Sequence, residues 1–68
     1  MADIEMEIES RLKRISENDA RISALVNLLW HPDGAKNPER LREEEMDLRQ
    51  ANVILRREVA DLRTKLPK

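Results

Sequence analysis

A chain of 68 residues forms one small domain at most, and a monomer of this size buries little apolar surface, which favours oligomerisation. Charged residues make up 40% of the chain and Trp30 is its only aromatic residue, a composition typical of long amphipathic helices rather than of an ordinary globular core. The absence of cysteine excludes disulfides and thiolate metal sites, and the net charge of −1 gives no general attraction to nucleic acid or to anionic membranes.

A first helix is predicted over residues 3–30. Asp3 is a candidate N-cap, and acidic residues in the first turns suit the positive end of the helix dipole. An apolar row with a seven-residue spacing runs along this helix, with further apolar side chains on both sides of the row. The stripe consists of Ile4, Ile8, Leu12, Ile15, Ile22, Leu25, Val26 and Leu29. Because it is wider than a single zipper seam and is interrupted by Arg11, Asn18 and Asp19, we expect it to pack on more than one neighbour.

Residues 31–34, His-Pro-Asp-Gly, predict the end of this helix and a turn, within a loop over residues 31–37. Asn37 and Pro38 then have the residue types of an N-cap and a first helical position. They predict a second helix over residues 38–66. No apolar run is long enough for a signal peptide or a membrane span, so a cytoplasmic location is expected.

The second helix carries a leucine at every seventh residue, which is the pattern of a leucine zipper. These leucines are Leu41, Leu48, Leu55 and Leu62. With these leucines at the d positions, Asn52 takes a central a position, which is typical of a parallel two-stranded coiled coil. The rows on either side of the seam carry opposite charges that could pair between two chains, Glu44 with Arg49 and Glu58 with Arg63. The predicted dimer interface is formed by Leu41, Leu48, Asn52, Leu55, Val59, Leu62 and Leu66 together with these four charged residues.

Two predicted helices of similar length joined by a short loop favour an antiparallel hairpin, in which residues whose numbers sum to about 68 face each other. The predicted hairpin contacts are Ile8, Leu12, Ile15, Ile22, Val26 and Leu29 of the first helix with Met46, Val53 and Ala60 of the second. The resulting fold is all-α, a hairpin that dimerises through a parallel zipper into a four-helix assembly. Two alternatives stay open: a tetramer, and a first helix that extends away from the zipper.

No residue pattern predicts catalysis, a metal or a cofactor. His31 is the only histidine and has no second ligand nearby in sequence, and Glu43, Glu44 and Glu45 are consecutive and therefore point in different directions. Trp30 has two interpretations. It either covers the loop end of the hairpin or is exposed as an anchor for a partner, since tryptophan is favoured at binding hot spots.

The stretch 48–57, LRQANVILRR, resembles the leucine zipper of the small helper proteins encoded by the first reading frame of some insertion-sequence transposons. The resemblance covers residues 41–66, about a third of the chain, and it implies self-association through the leucine row and Asn52. The heptads also resemble basic-region zipper transcription factors, but the required run of Arg and Lys before Leu41 is missing. No helix-turn-helix is recognisable in residues 1–37. The resemblance therefore implies assembly rather than DNA binding.

These observations together predict a non-enzymatic homodimerisation or adaptor module that binds another protein through its helical surface. The alternative is a nucleic-acid-associated regulator whose arginine row contacts phosphate. A small accessory subunit of an enzyme is a third possibility that the residues do not distinguish from the first.

Overall fold

The computed structural model describes residues 3–31 and 36–66, which form two helices of 27 residues each, α1 (Ile4–Trp30) and α2 (Pro38–Thr64). The all-α prediction is confirmed. Both helices begin and end within two residues of their predicted bounds. The turn predicted at Asp33 and Gly34 lies outside the described residues.

Both ends of α1 follow from local chemistry. A side-chain oxygen of Asp3 accepts hydrogen bonds from the backbone N–H groups of Glu5 and Met6, at 3.1 and 3.4 Å, so Asp3 is the N-cap that the sequence predicted. At the other end, His31 leaves the helix with φ −89° and ψ 123°. This extended geometry is the one that a residue before proline prefers.

The ends of α2 depend less on side-chain caps. Pro38 occupies the first turn as predicted, but Asn37 makes no side-chain cap hydrogen bond. The helix ends at Thr64, whose hydroxyl donates to the carbonyl oxygen of Asp61 at 2.6 Å. The Lys65 N–H then donates to the carbonyl oxygen of Leu62 at 3.0 Å, which tightens the last turn.

The two helices pack side by side in opposite directions. Arg11 near the start of α1 contacts Glu58 near the end of α2, and Arg21 contacts Glu44. These pairs lie close to the predicted alignment, so the hairpin is confirmed over the alternative of an extended first helix. The chain measures 51 × 17 × 14 Å, the proportions of a rod of two helices. Each helix therefore has one neighbour within the chain.

One seam from each helix forms the interface. In both helices, most of the buried and half-buried residues recur alternately four and three apart, the spacing of a heptad repeat. The α1 series is Ile4, Ile8, Arg11, Ile15, Asn18, Ile22, Leu25 and Leu29. The α2 series is Leu41, Glu45, Leu48, Asn52, Leu55, Val59, Leu62 and Leu66. A buried apolar cluster joins Ile8 and Ile15 to Leu55 and Val59.

The predicted assignment of the two faces of α2 is wrong. Asn52, Leu55 and Val59 were expected to contact a second chain, yet they are 2%, 5% and 4% exposed within one chain because α1 covers them. Met46 and Val53 were expected to contact the first helix but are 60% and 51% exposed, and Ala60 of the same row is also exposed. Because α1 is tethered to α2 by a short connection, its effective concentration at the leucine seam is high, and it occupies that seam before a second chain can.

Two leucines of α1 allow a matched test of this packing. Leu25 is fully buried and Leu28 is 38% exposed. We expect Leu25→Ala to lower the free energy of unfolding by about 2–5 kcal/mol, since it removes transfer energy and leaves a cavity, and Leu28→Ala to cost much less. Urea unfolding followed by circular dichroism measures both variants. Equal losses would contradict the described seam.

Candidate interaction surface

A buried polar layer lies at the middle of the seam. Asn52, which is 2% exposed, accepts a hydrogen bond at its amide oxygen from the Asn18 side chain at 3.0 Å. Its own amide nitrogen donates to the carboxylate of Asp19 at 2.8 Å. An unpaired amide at this depth would cost roughly 1–3 kcal/mol, so a helix alignment that separated Asn18 from Asn52 would be disfavoured. The layer therefore sets the register of the hairpin.

Ion pairs connect the two helices along one side of the hairpin. The Nε and Nη2 atoms of Arg21 donate to the two carboxylate oxygens of Glu44 at 2.6 and 3.2 Å, and Arg11 Nε donates to Glu58 at 3.0 Å. The hydrogen bonds from Arg21, more than its charge, hold the pKa of Glu44 below its ordinary value. The same contact raises the pKa of Arg21. The ion pairs on this side thus bridge the two helices of one chain.

The other side of the hairpin carries a surface that we call the arginine flank. Two shallow grooves run along it between the helices, and their walls show which residues share this side. One groove is lined by Leu12, Ile15, Arg56, Val59, Ala60 and Arg63. The other is lined by Asp19, Ile22, Arg49, Asn52, Val53 and Arg56. The seven-residue repeat extends these rows to Val26 on α1 and to Arg42 and Met46 on α2, and Trp30 follows Val26 by about one helical turn.

Exposed apolar side chains accompany the arginines along this flank. Met46 and Val53 are 60% and 51% exposed, Leu12 is 41% exposed, and Trp30 is 82% exposed. Met46 and Val53 lie seven residues apart in one row of α2, so together with Leu12 they form an apolar strip among the arginines, and Trp30 lies beyond it at the loop end. A strip of this kind on a small hairpin is a candidate interaction surface.

The opposite side of the hairpin is less suited to a partner. Its apolar side chains include Ile54, which is 58% exposed, and Leu28. The row of Ile54 on α2 otherwise carries Asp47 and Asp61, each two helical turns away. The carboxylates of the neighbouring row are engaged with arginines of α1. Ile54 is therefore a scattered surface residue of a common kind rather than part of a strip.

Trp30 and His31 lie at the loop end of α1, and both are exposed. The interpretation of Trp30 as a cover over the end of the hairpin is therefore wrong, because a covering side chain would bury its indole. The interpretation as a partner anchor stays a prediction. On α2 the described positions of the arginine flank at this end, Glu39 and Arg42, are charged.

The acidic side chains of the described residues are dispersed over the surface rather than clustered. Among residues 3–31 and 36–66, no group of three His, Asp or Glu side chains could hold a metal ion. Every buried side-chain nitrogen or oxygen in the same part of the chain has a hydrogen-bond partner. Glu43 is exposed, Glu44 binds Arg21, and Glu45 accepts from Arg49 at 3.0 Å. The three consecutive acids thus make separate contacts.

Most residues predicted for the dimer interface belong to the hairpin interface instead, and the charged ones have different partners. Glu44 binds Arg21 rather than Arg49, and Glu58 binds Arg11 rather than Arg63. The seam residues Leu41, Leu48, Leu62 and Leu66 are half-buried within the chain. Of the residues predicted for hairpin packing, Ile8, Ile15 and Ile22 are buried, Val26 and Leu29 are half-buried, and Leu12 is 41% exposed. Dimerisation itself stays a prediction.

Sequence reasoning did not identify Arg11, Asn18 and Arg21 as parts of the interface, and it placed Leu25 in the apolar stripe without assigning it a hairpin contact. The sequence feature that could have identified them is the heptad spacing of α1, whose residues recur alternately four and three apart. Arg11 and Asn18 occupy positions of that seam. Counted as members of the seam rather than as interruptions, they give α1 the same narrow heptad pattern as α2. An asparagine in each seam would then have predicted an Asn–Asn pair within the chain.

Among the described residues, neither α1 nor α2 combines the length and the apolar character needed to cross a membrane.

The ion pair between Arg21 and Glu44 makes stability depend on pH. Because the folded-state pKa of Glu44 lies below its ordinary value of 4.5, the contribution of this carboxylate is present above that pH and is lost as the pH falls through the folded pKa. We expect carbon-detected NMR titration of Glu44 to give a depressed pKa, and Arg21→Gln to return it toward 4.5. A Glu44 pKa that does not respond to Arg21→Gln would contradict the contact.

The polar layer has its own matched test. We expect Asn18→Ala to lower the free energy of unfolding by about 1–3 kcal/mol, because the buried amide oxygen of Asn52 loses its donor. The exposed Asn27 of the same helix provides the control, and Asn27→Ala should change stability by less than about 0.5 kcal/mol. Chemical denaturation compares the two. If both substitutions have the same effect, Asn18 does not pair with Asn52.

Comparison of the chain with known protein families, with curated proteins and with solved structures found no match. The function is therefore inferred from the geometry of the hairpin.

Proposed function

We propose that this protein is a non-enzymatic assembly module whose hairpins self-associate through the arginine flank, and whose dimer acts as an adaptor for another protein. The observation that supports the proposal best is the strip of apolar side chains exposed along that flank, with Met46 at 60%, Val53 at 51% and Leu12 at 41%. Burial of a Val, Leu or Met side chain stabilises an interface by about 1.5–3 kcal/mol. Burial of this strip in a dimer therefore adds apolar stabilisation that the single hairpin does not have.

The size of the hairpin supports the same proposal. Two helices form one layer, and small domains commonly need a second layer to be stable. The broad face of the rod, 51 by 17 Å, has a projected area of roughly 870 Å², from the product of these two dimensions. A standard protein–protein interface buries about 800 Å² on each partner. One face of this hairpin is thus large enough for a stable dimer.

Trp30 is our candidate for the contact with the adaptor's target. It is 82% exposed at the loop end of the arginine flank, where the neighbouring positions of α2, Glu39 and Arg42, are charged. Tryptophan is enriched among the residues that contribute most to binding energy. We place the module in the cytoplasm, since a chain without cysteine needs no oxidising compartment.

A nucleic-acid regulator is the second candidate, and the exposed arginine row favours it. Arg49 and Arg56 have side chains that are 59% and 60% exposed. However, Arg49 is bound to Glu45 at 3.0 Å, and Arg56 lies 3.7 Å from Asp19. A phosphate would have to displace these carboxylates. Titration with duplex DNA at low salt discriminates, because phosphate contacts make affinity fall steeply with salt. Tight, salt-sensitive binding would favour the regulator.

Val53 and Ile54 provide a test of the flank that differs by one residue in position. Both are exposed β-branched residues of α2, but Val53 lies on the arginine flank and Ile54 on the opposite side. We expect sedimentation equilibrium to show a homodimer at micromolar concentration. Val53→Gln should weaken it roughly 100-fold, because a symmetric interface loses the apolar contact twice.

Ile54→Gln is the control and should leave the dissociation constant unchanged. Circular dichroism checks that both variants keep their helicity, since each substitution replaces an exposed side chain. A monomeric wild-type protein would refute the proposed self-association. A dimer weakened by Ile54→Gln but not by Val53→Gln would move the interface to the opposite side of the hairpin.

A further inference from the structure

We infer that the second copy lies on the arginine flank with the two-fold axis parallel to the helices, so that α1 of each chain packs against α2 of the other. This inference rests on the proposed self-association and adds the orientation of the two chains. It follows from the charges along the flank, which differ in sign between the two helices.

The α1 part of the arginine flank is acidic and the α2 part is mainly basic. The α1 charges in the rows of Leu12 and Trp30 are all acids, namely Glu5, Glu9 and Asp19. The α2 charges in the rows of Arg56 and Val53 are four arginines and one acid, namely Arg42, Arg49, Arg56, Arg63 and Glu39. All these residues are exposed in the single hairpin, where Arg49 and Arg56 also lie beside the carboxylates of Glu45 and Asp19.

The sign of these charges decides between the two symmetric ways of joining the flanks. If the two-fold axis runs across the helices, α2 faces α2 and the two arginine rows oppose each other, while the α1 acids also meet. Opposed like charges are destabilising and select against such a partner orientation. If the axis runs along the helices, the acids of each α1 face the arginines of the partner's α2. The favourable contact then occurs twice.

The shapes of the side chains agree with the same orientation. An axis along the helices keeps each residue at its own height, and the Asn18–Asn52 hydrogen bond fixes which heights correspond in α1 and α2. Leu12 then lies near the level of Ala60, and Val26 near that of Met46. The small Ser16 lies near the level of Val53. Large side chains of one helix thus meet small or flexible ones of the other, as interdigitating layers require.

Cysteine cross-linking tests the orientation directly, because the natural chain contains no cysteine. We use two single-cysteine variants, Ser16→Cys on α1 and Val53→Cys on α2, both at exposed positions. Each variant is oxidised alone and as an equal mixture, and intact masses identify the disulfide-linked pairs. We expect the mixture to give the mixed pair in at least tenfold excess over either homodimeric pair. Ile54→Cys replaces Val53→Cys in the control and should give no mixed pair with Ser16→Cys.

The outcomes separate the orientation from the proposed self-association. Homodimeric pairs formed by each variant alone, without the mixed pair, would place the axis across the helices and overturn the inference while the assembly module stands. A non-covalent dimer that forms no pair with either residue would overturn the inference as well. A wild-type chain that sediments as a monomer would instead refute the proposed function.

Discussion

The leucine seam of α2 can pack against one neighbour only, and the rest of the structure depends on α1 of the same chain occupying it. A parallel zipper would use the same side chains and would pair Asn52 with its symmetry mate. It would also remove the cover from Ile8 and Ile15 and the partner from Asn18. In the hairpin, by contrast, Asn52 is 2% exposed and hydrogen-bonded to Asn18 and Asp19. The packing of α1 on α2 within one chain therefore gives both asparagines a hydrogen-bond partner and buries both apolar seams.

With the seam occupied, the remaining surface of the hairpin consists of two sides that differ in their ion pairs and in their exposed apolar side chains. On one side, Arg21 and Arg11 bind Glu44 and Glu58, and these pairs tie the two helices together. On the other, Arg56 and Asp19 are 3.7 Å apart and largely exposed, beside apolar side chains that α1 and α2 do not cover. Exposed ion pairs add little to stability. We propose for this reason that the charges of the arginine flank act in partner choice and orientation rather than in stabilising the hairpin.

Local features of the chain could be predicted from sequence because local chemistry determines them. The Asp3 cap, the helix end before Pro32 and the restart at Pro38 each depend on a few neighbouring residues. The alignment of the hairpin also followed from the lengths of its parts. The face of α2 that meets α1 could not be predicted from the leucine spacing, because a heptad seam has the same appearance whether its partner is the same chain or another. Treating Asn18 and Arg11 as interruptions concealed the matching seam in α1. The arginine flank was also not predicted, because its apolar row of Met46, Val53 and Ala60 had been assigned to the contacts of the hairpin.

The most direct test of this account is an isotope-filtered NOE measurement on an equal mixture of labelled and unlabelled chains. Such an experiment detects only contacts between protons of different chains. The account predicts contacts between chains at Val53 and Met46 on the arginine flank and none between the two copies of Leu55, whose contacts to Ile15 should be intrachain. Strong contacts between Leu55 of one chain and Leu55 of the other would contradict it, because they would show that the leucine seam joins two chains.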